Sequence, residues 1–229
     1  MRDIIESFKA SFDAEPSKDL ICDVSDLAFD AFIDSTALNG IPIFGFLNSI
    51  RKIGDSIQDY RLARKLYNFV YYTSDISSAQ RAEFMVEYQA INQENAYESL
   101  FAMIDRIDNV NKIAILSNLV RHKIWGRITI DEFIRLTIFL ERIPYPDLFR
   151  IANYTVDYYE SGVADMLYAA GILYQSVIDA NSTSKYRLNS VGEQFLKFGL
   201  CEDIQLQDKY ITSVNAAIEW HDIEKVTKD

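Results

Sequence analysis

The sequence predicts a mainly α fold with one small β-hairpin near residues 172–188. Three observations carry this. Apolar residues recur at three- and four-residue spacing through most of the chain, as one face of a helix requires. Only 8 Gly and 4 Pro occur in 229 residues, too few for a turn-dense β-sandwich. A single β-branched run, Ile172–Ile178, is followed by a polar turn and a return run, Lys185–Leu188. The chain divides at about 126/127 into a helical part and a second part that ends in a C-terminal helix.

The elements follow in order. Ile4, Ile5, Phe8 and Phe12 make the first amphipathic stripe, closed by Pro16. A second helix starts near Ser17, with Leu20, Val24, Leu27, Ala28 and Ala31 on one side, and stops at Asn39-Gly40. Ile41–Leu47 is apolar and punctuated by Pro42, which disfavours a helical Ile41. We expect that run to be buried. A helix over Phe44–Lys52 is followed by one over Ile57–Tyr72. Ser77 and Ser78 are caps for a helix through Ala90. Helices over Glu94–Ile107 and Val110–Trp125 come next, with Gly126 placed as a C-terminal cap. Thr129-Ile130-Asp131-Glu132 is a capping box that opens a helix through Ile143. Pro146 suits the first turn of a helix running to about Glu160. A short helix, Val163–Ala170, ends at Gly171. The hairpin follows, then a helix capped by Asn189 or Ser190 through Phe198, and a last helix over Gln207–Lys225.

Charge is unevenly spread around a net −11. Residues 1–40 hold 3 basic and 9 acidic side chains, and residues 151–229 hold 6 and 12. Residues 41–73 (5 against 2) and 109–150 (7 against 4) are basic. So acidic a surface repels nucleic acid and anionic lipid at long range, which argues against both as partners. Asp19, Asp23, Asp26, Asp30 and Asp34 share one helical face. That stripe reads as a solvated face, as an internal dock for Arg51, Lys52, Arg61, Arg64 and Lys65, or as a surface for a basic partner.

Enzyme signatures are missing from the sequence. There is no phosphate-binding Gly-rich loop, no HExxH and no G-x-S-x-G. Two Cys and two His, far apart, do not make a zinc site. His122 reads as a surface or half-buried residue. We therefore expect no catalytic residue, no metal and no cofactor. Cys22 and Cys201 share no motif and read as reduced thiols. Met1–Glu6 carries acid where an export signal needs an apolar core, so a cytoplasmic place is expected.

Tyrosine is abundant, at 14 residues. Tyr67, Tyr71 and Tyr72 cluster, as do Tyr154, Tyr158 and Tyr159. Buried rings with hydroxyls at the surface account for such clusters, and so does a contact patch, where Tyr is enriched. Tyr154, Tyr158, Tyr159 and Tyr174, with the five-Asp stripe, are the candidate interaction residues.

Residues 127–198 resemble a winged helix-turn-helix. Ala169-Ala170-Gly171-Ile172-Leu173 is similar to the end of a recognition helix entering the wing. Lys185-Tyr186-Arg187-Leu188-Asn189-Ser190-Val191-Gly192 is similar to the second wing strand and the helix after it. The resemblance implies duplex binding through that helix. Residues 151–184, however, contain no Lys or Arg and four acids, Asp157, Glu160, Asp165 and Asp179. Phosphate contacts dominate such binding, so the shape is expected to serve protein contacts instead. Ile41-Pro42-Ile43, Lys52, Asp59, Arg61 and Lys65-Leu66-Tyr67-Asn68-Phe69 are similar to a segment of uncharacterised bacterial proteins of defence or toxin–immunity loci. That likeness implies a bacterial accessory role. The expected function is a non-enzymatic cytosolic interaction or regulatory protein, with self-association left open. The alternatives are a winged-helix transcriptional regulator and a peripheral membrane protein inserting Leu38–Ile50 beside Arg51 and Lys52.

Overall fold

A computed structural model describes residues 2–14, 57–92, 95–177 and 184–200. The five-Asp stripe, the Ile41–Leu47 run, Cys22, Cys201, His221 and the expected last helix lie outside the described residues. The described chain is mainly helical, with one two-stranded antiparallel sheet among those residues. The elements are α1 (Arg2–Asp13), α2 (Ile57–Tyr72), α3 (Ser78–Asn92), α4 (Ala96–Arg106), α5 (Lys112–Ile124) and α6 (Ile130–Arg142). Then come α7 (Tyr145–Leu148), a 3₁₀ turn (Ile151–Thr155), α8 (Val163–Ala170), β1 (Leu173–Val177), β2 (Lys185–Leu188), α9 (Ser190–Phe195) and a π-helical turn (Leu196–Leu200).

Two compact units result. Of the described residues, one unit comprises those up to Arg142 with Phe198–Leu200, the other those from Ile143 to Lys197. The division falls after Arg142, later than the 126/127 boundary read from sequence, because α6 packs along α5.

In the first unit α5 is the central rod. Every residue from Ile113 to Val120 is buried, so no polar face remains. Around it, the α1 rings Phe8 and Phe12 lie 6.2 and 5.6 Å from Phe69 of α2. On the other side, Phe133 of α6 meets Phe84 and Tyr88 of α3 edge-on at 5.4 and 6.0 Å. Helix ends are closed by local chemistry. Ser77 and Gln80 bond reciprocally at the start of α3. The Oδ1 of Asn95 accepts the Tyr97 and Glu98 N–H groups at the start of α4. Thr129 N–H donates to Glu132 at 2.7 Å while Glu132 N–H donates to Thr129 Oγ1 at 3.2 Å. Gly126, at φ 70°, ends α5 in the left-handed region. There Gly126 N–H bonds Lys123 O and Arg127 N–H bonds His122 O, the Schellman pair.

Among the described residues three buried cations complete this unit: Lys112, which pairs with Asp108, Lys65 and Arg81. Lys65, expected as a possible dock for the Asp stripe, donates to the carbonyls of Asp105 (2.5 Å) and Ile107 (2.9 Å). It thus closes the negative end of α4. Burial holds its ammonium pKa below the usual value, against the opposing charges of Asp105 and Asp108. Arg81 lies 5.4 Å from the Phe12 ring centroid and donates to Ala14 O just beyond α1.

The largest departure from sequence expectation lies at the start of the second unit. No continuous helix runs from Pro146 to Glu160. Helix α7 is a single turn, the 3₁₀ turn follows, and Val156 is extended at φ −119°, ψ 172°. The reason is a long-range pairing. Tyr158 N–H bonds Tyr186 O (3.0 Å) and Tyr186 N–H bonds Tyr158 O (2.9 Å), which requires extended chain at Tyr158. β-Branched Val156 favours that conformation. From α8 onward the order is as expected. Gly171, at φ 92°, stops α8. Leu173 pairs with Leu188, Tyr174 with Arg187 and Gln175 with Tyr186, with a register shift before Val177. Asn189 joins three elements. Its Oδ1 caps α9 at Val191 (3.1 Å) and Gly192 (2.9 Å), and its Nδ2 donates to Gly171 O (2.8 Å). Helix α9 stops at Phe195, short of the expected Phe198, where the chain widens into the π-helical turn.

Candidate interaction surface

Of the four tyrosines singled out by sequence, the structure brings three to one region. Tyr154 is fully buried, so it is core and not surface, a correction to its expected role. Its ring meets Tyr158 edge-on at 5.3 Å. Burial above all, then the negative charge of Glu160, pushes the Tyr154 phenol up to about 12. The backbone of Glu160 opposes that shift, while Tyr158 and Asp165 add to it. Tyr158 is half-buried and anchors the pairing with Tyr186. Tyr159 is 39 % exposed and stacks on Tyr186, with centroids 6.4 Å apart and planes at 24°.

The fourth, Tyr174, is exposed but stands apart. Strand alternation turns Lys185 and Arg187 to the face opposite Tyr186 and Leu188. Tyr174, paired with Arg187, shares that basic face. It therefore does not belong with Tyr159.

Two tyrosines that the sequence did not single out take its place. Tyr168 is 51 % exposed and meets Tyr186 edge-on at 5.4 Å. Tyr186 is the hub, in ring contact with both Tyr159 and Tyr168. Exposed Val156 and Met166 are further apolar surface of this unit. A signal for Tyr168 existed: α8 buries Ala164, Leu167 and Ala170, and Tyr168 falls off that stripe. An aromatic residue on the wet side of a short helix is not needed for the core.

Between Ile151 and Val177 the charged side chains of this unit are all acidic. Asp157 and Asp165 are exposed. Glu160 holds Arg150 at 2.6 Å. Asp147 feels the same group: burial first, then Glu160, raises its carboxyl above the usual range, against the pull of Arg150.

In the first unit His122 is fully buried, neither at the surface nor half-buried as expected. Its ring lies 5.0 Å from Phe198 and 5.5 Å from Trp125. Phe198 arrives from far along the sequence, so local pattern could not place it there. Tyr67, Tyr71 and Tyr72 form a ladder along α2, with ring centroids 6.2 and 5.3 Å apart. Among the described residues no group of three His, Cys, Asp or Glu is placed to hold a metal ion. Among them also, no helix is long and apolar enough to cross a membrane. Compared with protein-family models, curated proteins and solved structures, the chain gives no match.

Proposed function

We propose that this chain is a non-enzymatic cytosolic interaction protein whose working surface is the tyrosine face of the second unit. The observation that carries the reading is the contiguous set Tyr159–Tyr186–Tyr168, two of whose rings stand in solvent without serving the core. Large aromatic side chains contribute much of the energy of protein interfaces and are costly to leave wet. The face is also rigid. Tyr186 is fixed by two backbone bonds to Tyr158, and Tyr168 rides on a helix closed by Gly171. Little ordering is then left for a partner to impose. The acidic surroundings favour a protein partner over nucleic acid.

The test is co-purification of the tagged chain from its native host, alongside a Tyr159→Ser/Tyr168→Ser double variant. A partner that copurifies with the native chain should be lost from the variant, with melting shifted by no more than a few degrees. Retention of every copurifying protein by the folded variant would sink the reading.

A further inference from the structure

The charge and ring geometry of this same face select the chemistry of its partner, and that selection rests on the proposed function. We infer that the tyrosine face receives an arginine-bearing segment of a separate protein, its guanidinium laid on the exposed Tyr168 ring and paired with Asp165.

The charge around the face selects a cation. Over the described residues 151–177 the charged side chains are three carboxylates, Asp157, Glu160 and Asp165, with no Lys or Arg. Asp165 precedes Tyr168 by one helical step of three, so both lie on the exposed side of α8. Asp157 is exposed just before the Tyr158–Tyr159 pair. The chain's own neighbouring cations are engaged or turned away. Arg150 is held by Glu160, and strand alternation directs Lys185 and Arg187 to the other side of the hairpin. The negative field reaches inward as well, since Glu160 and Asp165 both act on the buried Tyr154 phenol.

Ring geometry then selects arginine among cations. Tyr186 is contacted nearly parallel by Tyr159 and edge-on by Tyr168, which leaves ring surface at both exposed tyrosines. A planar guanidinium stacks on such a ring and still directs N–H donors at a carboxylate beside it. An ammonium is more strongly hydrated and lacks the flat face. An anionic segment would be repelled by the exposed Asp157 and Asp165.

The experiment titrates the full chain with three synthetic peptides of equal length, alike except for Arg, Lys or Glu at alternate positions, by calorimetry. The arginine peptide is expected to bind about tenfold more tightly than the lysine peptide, and the glutamate peptide not at all. Tyr168→Ser and, separately, Asp165→Asn should each weaken arginine-peptide binding several-fold with unchanged melting. Raising salt should weaken it further. Equal affinity for the Arg and Lys peptides that ignores Tyr168→Ser would overturn the inference as simple charge attraction. So would no binding of any peptide, or self-association that Tyr168→Ser abolishes, which would make a second copy the occupant. If the peptides fail while co-purification still depends on Tyr159 and Tyr168, only the arginine inference falls. If co-purification ignores those residues as well, the proposed function falls with it.

Discussion

Gly192→Ala is expected to lower the stability of the second unit by about 1–3 kcal/mol, a cost typical of overpacking. A Cβ at this position would stand 2.4 Å from the Ile172 carbonyl oxygen and 2.8 Å from Leu188 Cδ2. The Leu188 methyl can rotate, but the carbonyl cannot retreat easily. It accepts Asn189 N–H at 3.0 Å, and that residue also caps α9 and holds Gly171 O. Helix α9 would have to lift from the hairpin. Alanine is the better helix former by roughly 1 kcal/mol, so the sign of the effect separates the two influences. In a unit of this size about 2 kcal/mol corresponds to a fall of roughly 10 °C in Tm. Calorimetric melting of the variant reads it directly. An unchanged or raised midpoint would mean that α9 does not sit this tightly on Ile172.

Phe133→Ala should cost about 3–5 kcal/mol, the usual range for deleting a buried aromatic ring. Phe133 is fully buried and is the residue through which α6 meets both Phe84 and Tyr88 of α3. The lost edge-to-face contacts add to the cavity left behind. The effect should appear in chemical denaturation as a large fall in midpoint. A loss below about 1 kcal/mol would show that α6 is not part of the first unit's core.

Much of the fold is legible in the sequence where its determinants are local. The Thr129–Glu132 box and the stops at Gly126 and Gly171 involve residues at most a few positions apart. Their signatures appear in the chain as written, and α2, α8 and β2 begin and end where the pattern places them. The break between α7 and Glu160 is different. It depends on Tyr158 pairing with Tyr186, and no window around Tyr158 contains that information. The burial of His122 is hidden for the same reason, since Phe198 covers it from a distant part of the sequence.

The candidate surface is legible in kind but not in membership. A tyrosine excess marks a region, yet strand alternation and helix phase decide which rings reach water. Tyr154 and Tyr159 are five positions apart and differ completely in exposure. Tyr174 and Tyr186 lie on paired strands but face opposite ways. Tyr168 can be found by asking which aromatic lies off the apolar stripe of its helix.

The most direct measurement of the central claim is amide hydrogen exchange on the chain, free and in complex with the partner recovered from its native host. Slowed exchange is expected across Val156–Tyr168 and at Lys185–Arg187, with α3 and α5 unchanged. Protection confined to the first unit, or exchange at Tyr158–Tyr168 that is the same free and bound, would contradict it.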